Sequence, residues 1–325
     1  MACNVEGCCT EICGDHCLKG IYAMEENFTN ENKPMITELS ESDAMTTYPL
    51  RYIMWSGRTQ FSEVKIARSL TYGTMLFLDG ELQSTSSDES IYHESLVHPV
   101  MAATQAKRVL VVGGGEGATV REVLRWNSVT EVFWVDIDVE LVELCKEHLG
   151  WAKNVYTDPR VQFIGRDIKD VLPTAGLFDA IILDLPDPDG DTGFLYSEEF
   201  WVLIKACLRS EDSRVVTHTG PVKPSGLIGD GLQRVWVSAN NSGIEPWISG
   251  FYQITIPSFQ GAWGFWISGI NTLIALKNPL QDAKVVDAEQ LAQWAYPPIV
   301  WRTVLEAQRT TGYAFGSCNI RRLNP

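Results

Sequence analysis

Between residue 107 and residue 221, short apolar runs alternate with longer segments of helical periodicity. Each apolar run is four to six residues long and rich in Val, Ile and Phe, which is typical of buried strands, and each ends at glycine or a polar residue. The strand-like runs are "RVLVVGG", "EVFWVD", "VQFIGRD", "FDAIILD" and "SRVVTHTG". Strands alternating with helices predict an α/β fold with a doubly wound, mostly parallel sheet. Two further runs, "SGFYQITIPSF" and "WGFWISG", predict a closing antiparallel pair.

The region before residue 107 has a different pattern. Residues 50–100 contain the alternating runs "EVKIARSL", "TMLFLDG" and "ELQST", which predict a small antiparallel meander. A helical stretch, "DESIYHESLVHPVMAA", follows behind a polar start that can cap it. We therefore predict an irregular, Cys-rich extension over 1–47, a small β-rich domain over 48–100 and a Rossmann-like catalytic domain over 101–325.

The composition narrows the possible partners. The chain carries 26 Lys and Arg against 41 Asp and Glu, a net charge of −15, which disfavours nucleic acid as a partner and suits a cationic ligand. No apolar run is long enough to span a membrane, and the amino-terminal residues lack the pattern of a signal peptide, so we expect a cytoplasmic protein that does not bind membranes. Five of the eight cysteines precede residue 18 and match no zinc-ligand spacing.

A glycine-rich turn follows the first strand of the parallel sheet. In "GGGEGA", Gly113, Gly115 and Ala118 fit the pattern that brings a backbone close to a nucleotide ligand, with Gly114 between them. Dinucleotide enzymes and adenosyl-sulfonium enzymes both use such turns, so the sheet is of Rossmann-like, methyltransferase type. Asp136 ends the next strand, where a carboxylate can accept the two hydroxyls of a ribose; a helix cap is the alternative.

The acidic residue within the turn separates these ligand classes. Glu116 would repel a pyrophosphate, because like charges about 4 Å apart cost on the order of 1–4 kcal/mol, whereas a sulfonium or ammonium would be attracted. Asp167, after the third strand, can reach an adenine amino group. These residues favour an adenosyl ligand with a cationic tail over NAD.

Four aspartates crowd the end of the fourth strand in "LDLPDPDGD". Asp184 and Asp187 can face one ligand, and a carboxylate there can hold an ammonium and accept its proton as the amine attacks. A metal site is less favoured, because no histidine ligand lies nearby in the sequence. We expect Asp189 and Asp191 to lie on the loop surface.

Across residues 48–300 the chain resembles the spermidine synthase-like aminopropyltransferases. The resemblance is carried by "LDGELQSTSSDESIYHESLVHP", "VLVVGGGEGATVREVL", "VDID", "GRD", "DLPDP" and "IPSFQGAWGF". It implies transfer of an aminopropyl group from decarboxylated S-adenosylmethionine to a polyamine amine, with release of methylthioadenosine. It also implies no metal, no cofactor beyond this co-substrate, and a homodimer or larger homo-oligomer.

The resemblance assigns roles to individual residues. Asp184 matches the proton acceptor, Asp187 holds the acceptor polyamine, and Glu116 holds the aminopropyl ammonium of the donor. Asp136 matches the ribose ligand and Asp167 the adenine contact. The remaining expected substrate contacts are Gln83, Tyr92, His93, Ile168 and the three glycines Gly113, Gly114 and Gly115.

Departures from the family pattern bear on the acceptor. Glu116 stands where putrescine-using members typically have Asp, and Tyr92-His93-Glu94 stands where they have Tyr-Gln-Glu. These forms resemble thermospermine synthases, so we predict spermidine as acceptor, with a spermidine or spermine synthase as the alternative. Ser62 occupies the position of a donor-binding Gln and is too short to replace it.

Other functions remain open at this point. A methyltransferase that uses intact S-adenosylmethionine shares the sheet and turn, but Glu116 would repel the substrate carboxylate. A NAD-dependent dehydrogenase lacks a plausible hydride-transfer partner. An inactive polyamine-binding protein is the non-enzymatic alternative. His218, at a strand end, could either line the acceptor pocket or be structural.

Overall fold

The computed structural model describes residues 34–39, 45–186, 190–222, 235, 238–244, 250–269, 283–287 and 289–290. The described residues of the amino-terminal part form six strands: β1 Met35–Leu39, β2 Met45–Pro49, β3 Tyr52–Arg58, β4 Glu63–Ser69, β5 Gly73–Leu78 and β6 Glu81–Thr85. Strands β3 to β6 form an antiparallel sheet in chain order, and β1 pairs with β2 as a separate hairpin.

The hairpin corrects one prediction. An irregular extension was expected over residues 1–47, but Met35–Leu39 and Met45–Pro49 are strands. The alternation there is weak, because Ile36 and Tyr48 are the buried residues and most of the others face solvent. The cysteine-rich segment itself lies outside the described residues.

The part of the chain from residue 89 onward contains seven strands and five helices whose bounds the structure describes. The helices are α1 Glu89–Thr104, α2 Ala118–Leu124, α3 Val139–His148, α4 Ile168–Ala175 and α5 Glu198–Ala206. The strands are β7 Arg108–Gly113, β8 Glu131–Val135, β9 Val161–Ile164, β10 Ala180–Asp184, β11 Arg214–Pro221, β12 Phe251–Ile256 and β13 Gly261–Ile267. Short 3₁₀ turns span Val155–Thr157, Gly190–Tyr196 and Pro257–Phe259. In this part of the chain no helix is long and apolar enough to cross a lipid bilayer.

The seven strands form one sheet in the order β12-β13-β11-β10-β7-β8-β9. The five strands from β11 to β9 are parallel, and β13 and β12 add an antiparallel edge. Apolar side chains pack against both faces of this sheet, which explains why its central strands are continuous apolar runs. The doubly wound fold with a small antiparallel sheet is confirmed.

The strand order reverses between β7 and β10. From β7 the chain proceeds outward to β8 and β9 on one side, and later to β10 and β11 on the other. In such sheets the loops at the carboxyl ends of the two central strands diverge and leave a crevice. The glycine-rich turn and Asp184 meet at this crevice, because Gly113 of β7 is paired with Asp184 of β10.

Helix α1 is buried along most of its length and contains a proline. Pro99 has no N–H to donate to the carbonyl of Ser95, one turn earlier. The hydroxyl of Tyr252 in β12 donates to that carbonyl instead, over 2.7 Å. The edge strand thus satisfies the polar group that the proline leaves open, and it fixes α1 beside the sheet.

Candidate active site

The glycine-rich turn is shaped by its contact with the end of β10. The amide N–H of Gly114 donates to the carbonyl of Asp184 over 3.0 Å. A Cβ atom at Gly113 would lie 2.1 Å from that carbonyl oxygen, and φ at Gly113 is +79°. Only glycine adopts this conformation at this separation without strain. The first glycine of the motif therefore sets how closely the turn approaches Asp184.

The carboxylate of Asp184 is held by two hydroxyl groups. Tyr92 of α1 donates to Oδ1 over 2.8 Å, and Thr119 of α2 donates to Oδ2 over 2.5 Å. Each donor binds a different oxygen, so both the position and the plane of the carboxylate are fixed. A half-buried carboxylate oriented in this way at the mouth of the crevice can receive a proton from a bound ligand.

Asp136 follows β8 and lies on the other side of the turn. Its Oδ2 is 3.2 Å from the position that a Cβ at Gly115 would occupy. Burial raises the pKa of Asp136 to about 7, and the negative charges of Asp138 and Asp184 add to this rise, while the N–H of Asp138 opposes it. Asp138 caps α3 by accepting from Leu141, so the cap that was the alternative role for Asp136 belongs to Asp138.

Glu116 lies inside the turn and has two neighbours. Ser84 of β6 donates to Oε2 over 2.5 Å, and Nε2 of His93 forms an ion pair with Oε1 at 2.9 Å. The small antiparallel sheet, through β6, thus supplies part of the support of this carboxylate. Glu116 retains acceptor capacity for a ligand cation, because each carboxylate oxygen can accept more than one hydrogen bond.

His93 is an almost completely buried bridge between two carboxylates. Its Nδ1 lies 2.7 Å from the carbonyl of Glu89 and 3.0 Å from Oε2 of the same residue, opposite the ion pair with Glu116. Burial by itself lowers the pKa of His93, but the charges and hydrogen bonds of Glu116 and Glu89 outweigh burial and hold it well above its ordinary value. His93 therefore carries a positive charge and orients Glu116.

Glu89 is anchored in turn by a guanidinium. Arg121 of α2 donates to both of its carboxylate oxygens, over 3.0 and 2.8 Å. Burial alone would raise the pKa of Glu89, but its hydrogen bonds and charge contacts with His93 and Arg121 lower it to about 2. The carboxylate stays ionised, and it keeps the His93 ring in place.

The ion pairs continue from Arg121 away from the crevice. Glu122 accepts from Arg121 and from Arg125, and Arg125 also donates to the fully buried Glu94. Glu94 in turn accepts the backbone N–H groups of residues 284–286. His98 lies 3.1 Å from Glu122, so three side chains that could ligate a metal, Glu94, His98 and Glu122, meet there. The guanidinium of Arg125 bonds both carboxylates and provides the cation.

The residues that the sequence predicts as donor contacts differ in where their side chains are held. Asp167 caps α4 by accepting from Lys169 over 2.9 Å, and the adjacent Ile168 is buried. Both lie at the carboxyl end of β9, along the same sheet edge as Asp136. Gln83 donates to the carbonyl of Glu81 within its own strand, and it is the next residue, Ser84, that reaches Glu116.

The turn between β3 and β4 contains Ser62. The backbone N–H of Ser62 donates to the hydroxyl of Thr59, and that hydroxyl donates to Asp138 over 2.6 Å. This contact joins the small sheet to the start of α3, next to Asp136. Ser62 therefore helps to shape this turn through its backbone.

The opposite side of Asp184 is lined by aromatic rings. The ring of Tyr92 lies 6.1 Å from His218, 6.3 Å from Phe259 and 5.5 Å from Phe265. Trp263 is half-buried and packs against Phe259 and His218, whereas Phe265 and Trp266 are fully buried. Of these three residues, Phe265 and Trp266 therefore belong to the core, and Trp263 lines the site.

Asp187, predicted to hold the acceptor, and Asp189 lie outside the described residues, and the side chain of Asp191 is likewise not described. The structure brings together Asp184, Tyr92, His93, Glu116 and Asp136. Sequence reasoning missed three supporting residues: Thr119, Ser84 and Glu89. Each lies within a quoted motif segment, but short hydroxyls and helix carboxylates carry no signal of their own until the fold places them.

Comparison with known proteins identifies the family. Residues 89–278 match the spermine/spermidine synthase domain, and residues 35–86 match the spermidine synthase tetramerisation domain. The chain belongs to the spermine/spermidine synthase family. The resemblance to spermidine synthase-like aminopropyltransferases is thereby confirmed.

Members of the family from bacteria and archaea share much of the sequence. Polyamine aminopropyltransferase 2 of Pseudomonas aeruginosa is 38% identical over 247 residues, which cover 72% of this chain and 68% of the relative. Polyamine aminopropyltransferase 1 of Hyperthermus butylicus is 40% identical over 221 residues, covering 66% of this chain and 73% of the relative.

Solved structures agree on the fold. Spermidine synthase from Thermotoga maritima superposes with a TM-score of 0.76 at 22% identity, covering 88% of this chain and 99% of the other. A spermidine synthase in complex with the transition-state analogue AdoDATO gives the same TM-score at 24% identity, covering 84% of this chain and 95% of the other. At these identities the match concerns the fold alone.

Proposed function

We propose that this protein is a polyamine aminopropyltransferase that uses decarboxylated S-adenosylmethionine as donor and spermidine as acceptor, giving thermospermine. The observation that carries the proposal is the carboxylate of Asp184. It is oriented by Tyr92 and Thr119 at the switch point of the sheet, beside the glycine-rich turn that also carries a second carboxylate, Glu116. One carboxylate suits the amine that attacks and the other suits the cationic tail of the donor.

The reaction needs positioning and one proton transfer. The acceptor amine is protonated near pH 7 and becomes a nucleophile when Asp184 takes its proton. The amine nitrogen then attacks the carbon next to the sulfonium. The new N–C bond forms as the C–S bond breaks, and the electron pair of that bond stays on sulfur, giving neutral methylthioadenosine. Holding both reactants in line supplies much of the remaining rate enhancement.

The donor would lie along the carboxyl ends of β7, β8 and β9. Glu116 accepts the terminal ammonium, Asp136 the ribose hydroxyls and Asp167 the adenine amino group. Burial raises the pKa of Asp136 in the unliganded protein. A ribose hydroxyl that donates to the carboxylate would stabilise its ionised form and lower this pKa again. The cationic His93 keeps Glu116 in position, and the turn containing Ser62 covers this side.

Support for spermidine as acceptor comes from Glu116 and from the Tyr92-His93-Glu94 sequence. The half-buried aromatic wall adds to it, since rings can pack along the methylene stems of a long polyamine. A spermidine synthase that uses putrescine is the alternative, and the same arrangement of carboxylates accommodates it. No metal or other cofactor enters the proposed chemistry, and the cytoplasmic location stays a prediction.

A product assay tests the proposal. The purified protein is incubated with decarboxylated S-adenosylmethionine and, separately, with putrescine, spermidine or spermine, and the products are resolved by chromatography that separates thermospermine from spermine. Consumption of spermidine with formation of thermospermine supports the full proposal. A preference for putrescine would contradict spermidine as the acceptor and leave the proposed mechanism unchanged. Absence of transfer to any of the amines would contradict the proposed aminopropyltransferase activity.

The variant Asp184→Asn tests the proton acceptor. We expect its turnover to fall by about 10²–10⁴-fold while its affinity for methylthioadenosine, measured by calorimetry, stays close to that of the unmodified protein. Asp170→Asn is the matched control, because Asp170 lies on the exposed surface of α4. Equal activity of the two variants would contradict the role of Asp184.

We also propose that the protein is a homodimer or larger homo-oligomer assembled through the small antiparallel sheet. Residues 35–86 match a domain described as a tetramerisation domain. Strand β3 is the edge of that sheet and exposes Tyr52, Ile53 and Met54, which are 50%, 45% and 36% accessible. An exposed apolar edge strand is a natural surface for pairing with a second chain.

A further inference from the structure

One polar group near Asp184 is not used by the chemistry described so far. His218 lies near the end of β11 and is only 4% exposed. Its Nε2 lies 2.5 Å from the carbonyl oxygen of Leu185, which can only accept, so Nε2 carries a hydrogen. Its Nδ1 is buried and meets no hydrogen-bond partner among the described residues.

The ring of His218 is held rigidly beside the reacting groups. Leu185, which fixes one edge of the ring, directly follows Asp184 in the chain. Trp263 stacks on the ring at a centroid distance of 6.0 Å and an interplanar angle of 24°, and the ring of Tyr92 lies 6.1 Å away. Since Tyr92 donates to Asp184, His218 belongs to the same pocket, on its aromatic side.

A buried acceptor without a partner is costly. Leaving such a group unsatisfied destabilises the protein, and buried polar atoms are therefore nearly always paired. In the tautomer that carries its hydrogen on Nε2, the lone pair of the ring is at Nδ1. A ligand that brings an N–H group into this pocket would satisfy it.

We propose that His218 is a specificity-determining residue whose Nδ1 accepts a hydrogen bond from the second amine of the acceptor, the nitrogen next along the chain from the one that attacks. This inference rests on the proposed function and deepens it. Three carbons separate adjacent nitrogens by roughly 5 Å, and four carbons by roughly 6 Å. The ring of His218 lies 6.1 Å from that of Tyr92, whose hydroxyl holds Asp184, so an acceptor with one nitrogen at Asp184 would extend its next nitrogen toward His218.

Two variants test the hydrogen bonds of the two ring nitrogens separately, because each keeps a polar group at only one of these positions. His218→Gln places an amide where Nε2 was, so it keeps a donor for Leu185 and loses the acceptor at Nδ1. His218→Asn places an amide oxygen near Nδ1 and gives up the bond to Leu185. A hydrogen bond to a charged group contributes about 1.5–3 kcal/mol, so we expect the KM for spermidine to rise roughly 10–100-fold in His218→Gln and much less in His218→Asn.

A monoamine distinguishes recognition from a structural effect. n-Propylamine has only the attacking nitrogen, and its inhibition constant against spermidine can be measured whether or not it is a substrate. We expect this constant, and the affinity for methylthioadenosine, to be unchanged in His218→Gln. An unchanged spermidine KM, or an equal weakening of spermidine and propylamine, overturns the inference. Absence of transfer to any amine by the unmodified protein overturns the proposed function, and this inference with it.

Discussion

At the scale of single residues, Asp184 and the glycines opposite it constrain one another. A Cβ at Gly114 would lie 2.7 Å from Oδ2 of Asp184, the same oxygen that Thr119 binds. We expect Gly114→Ala to displace the carboxylate and to lower kcat at least tenfold, in addition to a loss of stability from φ of +66°. Steady-state kinetics and thermal unfolding measure the two effects.

Gly80 provides the control for this prediction. Its φ is +90°, and a Cβ there would meet no atom within 4 Å. Gly80→Ala therefore introduces backbone strain without a contact to the site. We expect it to lower the unfolding temperature and leave kcat unchanged; a similar loss of kcat in both alanine variants would show that the contact with Asp184 is irrelevant.

Asp136 predicts a pH dependence of stability. Its pKa is about 7 in the folded protein against an ordinary value of 3.8, so the folded state binds the extra proton between these pH values. The stability that this proton provides is fully present below pH 3.8 and is lost as the pH rises through 7. We expect Asp136→Asn to gain several degrees in unfolding temperature relative to the unmodified protein between pH 4 and pH 8, without ligand.

Thermal scans at several pH values check this expectation. Asp170→Asn serves as the control, because it removes a carboxylate that lies on the exposed surface of α4. Parallel curves for Asp136→Asn and the unmodified protein would contradict the buried, proton-binding state of Asp136.

The sequence predicts the acidic residues of the site better than it predicts their supports. Asp184, Asp136 and Glu116 end strands or occupy a glycine-rich turn, and in a parallel sheet those positions converge on one edge. The roles of Thr119 and Ser84 emerge only from the structure. Each depends on how a helix or a strand packs beside a carboxylate from a different part of the chain. The sequence predicts His93 as a substrate contact, whereas in the structure its two ring nitrogens face Glu89 and Glu116.

At the scale of elements, the amino-terminal hairpin contacts the 3₁₀ turn Pro257–Phe259, which carries part of the aromatic wall. The hydroxyl of Tyr48 in β2 lies 3.1 Å from the carbonyl of Ser258 and 3.0 Å from the carboxylate of Glu38. The N–H of Ser258 donates to Asp88, and the next residue, Phe259, contacts Tyr92. The hairpin of β1 and β2 thus supports the acceptor side of the site.

Removal of the Tyr48 hydroxyl tests this support. We expect Tyr48→Phe to cost about 1–2 kcal/mol of stability, because the buried carbonyl of Ser258 loses its donor, and to raise the KM of the acceptor amine but not of the donor. Calorimetric unfolding and kinetics measure both. Tyr72→Phe is the control at a half-exposed ring that packs on Tyr48, and equal effects of both variants would argue against a specific role for the Ser258 contact.

The elements themselves were predictable to different degrees. The parallel strands were predictable because burial on both faces makes each one a continuous apolar run. The hairpin was not predictable in this way. Ile36 and Tyr48 are its main buried residues, and its two strands pair with each other, so no continuous apolar run marks them in the sequence. Strand β3 was missed for a similar reason, because most of its residues are exposed.

At the scale of the whole molecule, the exposed edge at β3 predicts the assembly. We expect the unmodified protein to elute as a dimer or larger species in size-exclusion chromatography with light scattering. Ile53→Lys, which places a charge on the exposed apolar edge, should shift the mass toward that of a single chain. Leu70→Lys is the control at another exposed apolar position, 65% accessible and outside β3.

The pairing of Tyr48 with Ser258 has a consequence for how the protein is made. The two residues are 210 positions apart, and Glu94 meets the amides of residues 284–286 at a similar separation. During synthesis the amino-terminal hairpin leaves the ribosome long before the loop that it supports exists. A nascent chain that ends after β11 contains the glycine-rich turn, Asp184 and His218, yet it lacks Phe259 and Trp263, so most of the site can form before the last part of its aromatic wall is translated.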